Sequence, residues 1–202
     1  GVRLPPSLPT NVYLPNLWYI SSMKKLAIPL LSLIFITSCS ETDSYSARLL
    51  NADLEDESWL LHGRTYDESR FSPLTDINDS NIHQLGLSWS FETGTNRGHE
   101  TTPIVIDGVM FITAPWSVVF ALDAKTGKQI WSFDPEADKA WARNACCDVV
   151  NRGVAIWGDQ VVFATIDGRL ISLNKESGAV NWDVLTIDKS KPYTITGAPR
   201  II

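Results

Sequence analysis

Apolar and polar positions change their rhythm near residue 85. Ala47 to Leu61 carries a weak helical pattern with acids in its middle, and His62 to Leu74 reads as a turn-rich loop. From Leu85 onward the apolar residues alternate: Leu85, Leu87 and Trp89, then Val109, Phe111 and Thr113. A period of two puts one set of side chains on one face of a strand. Ile104–Ile106 and Val109–Thr113 flank Asp107-Gly108, a strong hairpin signal. Val161–Thr165 and Arg169–Leu173 flank Ile166-Asp167-Gly168 in the same way. No helical period of useful length follows residue 85, so the fold is predicted to be all-β.

The strands repeat. Ala121 to Trp131 matches Ser172 to Trp182, both reading small-Leu-Asp/Asn-x-x-Thr/Ser-Gly-x-x-x-Trp. The glycine supplies a positive φ, the Asp or Asn caps the turn, and the tryptophan returns on the next strand. Trp89 ends a degenerate earlier copy. Trp89, Trp131 and Trp182 are 42 and 51 residues apart, the period of a four-stranded propeller blade. Two unrelated hairpins in a sandwich would not share this turn chemistry. The expectation is a β-propeller of four-stranded blades over residues 59–202. It is partial, with about two to three blades of an eight-bladed ring.

The first residues differ from the rest. Residues 1–22 hold four prolines and no acid, and read as upstream sequence foreign to the mature protein. Met23, Lys24-Lys25 and the apolar run Leu26–Ile36 form a signal peptide over 23–38. The run is short of the roughly 20 residues that span a bilayer. Ile36-Thr37-Ser38-Cys39 resembles a bacterial lipobox, which makes Cys39 the expected lipidated N-terminus. Residues 39–58 then form a tether, with polar Ser40–Ser46, and an N-terminal segment. The expected location is periplasmic, on a membrane of a Gram-negative bacterium. The net charge of −6 gives no support for nucleic-acid binding.

The chemistry centres on Cys146-Cys147, with Arg152 five residues on. Two readings stand for adjacent cysteines: buried free thiols, or a vicinal disulfide. The Cα atoms lie about 3.8 Å apart, below the ordinary disulfide range, so such a bond closes a strained eight-membered ring. It staples no loop. Its use would be shape: a flat apolar surface beside a guanidinium, suited to a planar carboxylated ligand. Export permits the bond to persist. Arg152 has a plainer alternative, an ion pair with Asp148.

Four stretches, His62–Glu68, Arg97–Pro103, Ala145–Gly153 and Tyr193–Pro199, together with the repeats, resemble the pyrroloquinoline quinone (PQQ) propellers. The likeness is to the N-terminal part of the quinoprotein alcohol dehydrogenases, of the quinohaemoprotein type. The resemblance implies that Glu100, Cys146, Cys147, Arg152 and Thr196 bind the cofactor. The cysteines would be a disulfide ring stacked on PQQ, Arg152 would pair with a PQQ carboxylate, and Thr196 would hydrogen-bond it. It also implies a calcium ion that polarises the quinone, an aspartate base, and oxidation of an alcohol to an aldehyde by hydride transfer. Electrons would pass to a cytochrome or quinone. The calcium ligands and the aspartate are expected beyond Ile202, so these residues alone are expected to be inactive. A haem c domain in the full-length protein is left open, since this chain holds no C-x-x-C-H motif. The competing expectation is a non-enzymatic lipoprotein propeller that acts as an outer-membrane assembly scaffold. It would not call for Cys146-Cys147 with Arg152. A nicotinamide enzyme is disfavoured because no G-x-G-x-x-G follows a strand.

Overall fold

The computed structural model describes residues 41–202. The expected upstream segment, signal peptide and Cys39 lie outside them. Two four-stranded antiparallel sheets follow one another in the chain. The first holds β1 (Ile104–Ile106), β2 (Val109–Thr113), β3 (Val119–Asp123) and β4 (Gln129–Phe133). The second holds β5 (Ala155–Trp157), β6 (Gln160–Ala164), β7 (Arg169–Asn174) and β8 (Val180–Leu185). In each, spatial order equals chain order. These are two successive meander blades of a propeller.

The first predicted hairpin falls on the residues expected. Ile106 pairs with Val109, and Asp107 and Gly108 both take positive φ, 53° and 77°. That is what a tight two-residue turn requires for right-twisted strands. The second hairpin shifts by one residue, and β5 appears as a first strand that the pattern had not revealed. Its alternation is spoiled because Ala155 and Ile156 are both buried. Leu85, Leu87 and Trp89, expected as a strand, pair with no ladder, and Leu87 stands 86% exposed.

The blades pack face to face. Phe111, Val119, Ala121 and Trp131 of the first form one buried cluster with Val161, Phe163, Ile171 and Leu173 of the second. The opposite face of the first blade, with Phe120 and Leu122, packs on Phe91, whose ring meets Phe120 edge-on at 5.2 Å. Alternation along β2 and β3 thus serves two interfaces, so the blade is apolar on both sides.

The two copies of the repeat turn are the same object. Thr126 donates its N–H and hydroxyl to Asp123 Oδ1, both at 2.7 Å, and Gly127 N–H donates to Asp123 O. Ser177 treats Asn174 likewise at 3.0 and 2.9 Å, and Gly178 N–H donates to Asn174 O. Both copies end in a β-bulge at the residue directly before the tryptophan, Ile130 and Asn181.

Ser40 of the expected tether lies outside the described residues, and the rest of it falls in a helix. Residues Glu41–Leu50 form helix α1, which buries Tyr45 and Leu49 in the cluster between the blades. Tyr45 meets Trp157 edge-on at 5.7 Å, and burial pushes its phenol pKa up. Arg48 then binds Glu55 at 2.6 Å and Asp107, at the β1–β2 turn, at 3.0 Å. The weak helical reading from Ala47 thus begins late and runs too far: beyond Leu50 there is only a 3-10 turn at Ala52–Leu54.

Candidate cofactor pocket

Three segments that lead into or follow the blades converge. Thr102 N–H donates to Arg152 O at 3.1 Å, and Arg152 N–H donates to Thr196 O at 3.0 Å. Gly153 permits this approach. Its φ is 124°, and a Cβ there would lie 2.9 Å from Thr102 O. Asn151 braces the same spot from the buried side. Its amide donates to Ala164 O and Ser117 Oγ, and its Oδ1 accepts from Gly153 N–H.

On this frame Arg152 touches two predicted residues. Its Nη1 donates to Thr196 Oγ1 at 2.6 Å, and its Nη2 pairs with Glu100 Oε2 at 2.6 Å. Both charged side chains keep 41% exposure, so the guanidinium retains donors open to a ligand. The alternative pairing of Arg152 with Asp148 is not what forms. Asp148 instead receives Arg97 Nη1.

Cys146 and Cys147 are bonded as a vicinal disulfide, and both are exposed. Buried free thiols are therefore excluded. Their loop is tied by Asp148 to Arg97, three residues before Glu100, which brings the disulfide segment and the Glu100 segment side by side. Below them, Trp116 N–H donates to Val149 O, and the Trp116 ring carries Lys139 Nζ 4.1 Å from its centroid.

Two positions escaped the sequence. Asp167, 4% exposed, accepts Asp138 N–H at 3.2 Å and Arg169 Nε at 3.3 Å. Arg169 also reaches Asp183 and the Pro135 carbonyl. The sequence marks Asp167 only as a turn residue, yet in the fold it also steadies the segment leading to the cysteines. Trp141, on the 3-10 helix Lys139–Asn144, donates to Tyr193 O at 2.7 Å. It lies outside the repeat motif, so no spacing marked it.

A planar, anionic ligand fits this donor set: a partly open guanidinium, a threonine hydroxyl and a flat exposed disulfide. The class that the fold defines is a β-propeller built from tryptophan-containing repeats. Residues 59–183, more than half of the chain, match the PQQ family model described as glucose/ethanol/alcohol dehydrogenase, β-propeller domain, and the chain belongs to that family. It is 51% identical over 157 residues to quinohemoprotein alcohol dehydrogenase ADH-IIG of Pseudomonas putida, covering 77% of this chain and 22% of the relative. The solved structure of that enzyme superposes with a TM-score of 0.75 over 77% of this chain and 23% of its own. A 1-butanol dehydrogenase (cytochrome c) of Thauera butanivorans is 51% identical over 71% of this chain and 21% of its own. A europium-containing methanol dehydrogenase is 35% identical, with a TM-score of 0.73 over 77% of this chain and 28% of its own. The chain spans about a fifth of the length of these curated relatives.

Proposed function

We propose that these residues supply the first blades and one wall of the cofactor pocket of a PQQ-dependent alcohol dehydrogenase. The observation that carries this is the convergence of Arg152 on Glu100 and Thr196 beside the exposed Cys146–Cys147 ring. When bound, PQQ with its calcium ion accepts the electrons of the alcohol, and the cofactor carries that chemistry. The protein residues do the holding. Arg152 binds a carboxylate in a charge-assisted contact, and its planar fork suits a planar anion. Glu100 fixes the guanidinium from one side and limits its reach. Thr196 accepts from Arg152, which leaves its own O–H to donate to the ligand. The disulfide ring offers a flat surface without polar hydrogens.

The catalytic base and the calcium ligands are proposed to come from outside these residues. Among those described, no group of three acids, histidines or cysteines could hold a metal. A cytochrome acceptor is supported by the name of the Thauera relative. Export and anchoring through Cys39 rest on Lys24-Lys25 and the apolar run.

The test is the complete reading frame that carries these residues, expressed without PQQ and then titrated with PQQ and calcium. Saturable PQQ binding and alcohol-dependent reduction of an artificial electron acceptor are expected. Failure to bind PQQ with the disulfide intact would overturn the reading.

A further inference from the structure

The segment 188–193 lies between β8 and Thr196, and all six residues are exposed. Its hydrogen bonds are otherwise local: Ser190 N–H to Asp188 Oδ1, and Lys191 N–H to Asp188 O. Among the described residues, both of its polar ties to other segments run to Trp141. The indole N–H donates to Tyr193 O at 2.7 Å, and Lys189 Nζ stands 5.4 Å from the centroid of the Trp141 ring. Trp141 belongs to the 3-10 helix Lys139–Asn144, which leads directly into the Cys146–Cys147 ring. That helix is fixed at its start, because Asp138 caps it through Ala140 N–H and Asp138 N–H is held by Asp167. One rigid piece therefore carries both the disulfide ring and the anchor of the segment that ends at Thr196.

We infer that Trp141 is a positioning residue that holds the Thr196 segment against the disulfide segment, so that two walls of the cofactor pocket keep their spacing. The inference rests on the function proposed above. Arg152 ties Thr196 twice more, by its N–H to the carbonyl and by Nη1 to the hydroxyl, and Thr186 is bonded to Gly168 O at the other end, so both ends are fixed while 188–193 between them is left free to bow. The indole bond removes that freedom. A loop held only at its two ends samples more arrangements than one also pinned in its middle, and a ligand that needs one of them binds more weakly in proportion.

The experiment compares wild type, Trp141→Phe and Trp141→Ala in the complete protein. Phenylalanine keeps a ring under Lys189 and loses the N–H, whereas alanine loses both. The first readout is trypsin cleavage of the cofactor-free protein at Lys189–Ser190; Lys191 precedes Pro192 and is a poor site. Cleavage at Lys125–Thr126 is the control for general loosening, since that turn is bonded to Asp123. The second readout is PQQ affinity and dissociation rate. One net hydrogen bond corresponds to about 2- to 13-fold. Trp141→Phe should speed cleavage at Lys189 and PQQ release by about that factor, and Trp141→Ala by more, with cleavage at Lys125 unchanged. Unchanged cleavage at Lys189 in both variants overturns the inference. So does faster cleavage with unaltered PQQ binding. If wild type binds no PQQ, the proposed function and the pocket role fail together, while the cleavage arm still reads whether Trp141 holds the segment.

Discussion

Trp131 sits on Gly178. Its indole N–H donates to Lys175 O at 3.0 Å, and a Cβ on Gly178 would lie 2.8 Å from the ring. Trp89 makes the same arrangement one blade earlier, donating to Ala124 O at 3.2 Å, with Gly127 under its ring. Trp131 is thus a bolt from the last strand of the first blade into the turn of the second, and Trp89 enters the turn of the first blade from the segment that precedes β1. The glycine of the repeat has two duties, a positive φ and a flat seat.

Those duties can be separated. Gly178→Ala should cost roughly 2–3 kcal/mol, because it meets both the left-handed backbone and the Trp131 ring. Gly158→Ala meets the backbone alone, since nothing lies within 4 Å of a Cβ there at φ 60°. It should cost about 1–2 kcal/mol. Urea unfolding of the two variants checks the difference, and equal losses would mean that the ring seat contributes nothing.

Arg152→Met should weaken PQQ binding by at least about 30-fold, the lower end for one partner of a hydrogen-bonded charge pair. Arg152→Lys should recover only part, since an ammonium cannot serve Glu100, Thr196 and a carboxylate in one plane. Isothermal titration of the cofactor-free protein with PQQ decides it. Wild-type affinity in Arg152→Met would make Arg152 a brace for Glu100 and Thr196 and nothing more.

Cys146 and Cys147 are bonded and exposed, so a reductant has direct access. Trypsin should release Asn144–Arg152 as a peptide two hydrogens lighter than its dithiol form and inert to alkylation. After reduction it should take two alkyl groups, and PQQ affinity should fall with the loss of the ring. Prompt alkylation of the untreated folded protein would contradict the bond.

Stability should depend on acid through Arg48. Its hydrogen bonds hold Asp107 and Glu55 below their ordinary values of 3.8 and 4.5. A depressed folded pKa means that the unfolded chain takes up protons first as pH falls. The contribution is therefore whole above about pH 4.5 and is lost as pH drops through the folded values. These side chains are partly exposed, so solvent limits each pair to about 1 kcal/mol or less. Arg48→Met should lower the urea midpoint at pH 7 and leave it nearly unchanged at pH 2. An equal deficit at both would assign Arg48 a packing role.

The blades were legible because their turn chemistry is local. Asp123 and Asn174 bond residues three positions on, and such a rule is written in consecutive letters. The bonded Cys146–Cys147 ring was implied by the family resemblance rather than by spacing, and so was the choice of Glu100, Arg152 and Thr196 as cofactor residues, whereas the pairing of Arg152 with the other two was not expected. Asp148 shows the limit. It is a near neighbour of Arg152 in sequence, yet it pairs with Arg97, because its own φ of 72° belongs to a turned loop. Leu87 failed for the opposite reason: alternation marks a strand only where a neighbouring strand supplies its hydrogen bonds.

The backbone bonds from Thr102 to Arg152 and from Arg152 to Thr196 make the pocket residues measure their positions from one another. The stretches between blades can then differ in length and content without disturbing the ligand contacts. One of them, 134–154, has room for a helix and a disulfide. The other, 186–196, follows the second blade and carries Thr196 without a helix or a disulfide. New chemistry can be inserted in such connections, while the rim that grips the ligand keeps its gauge.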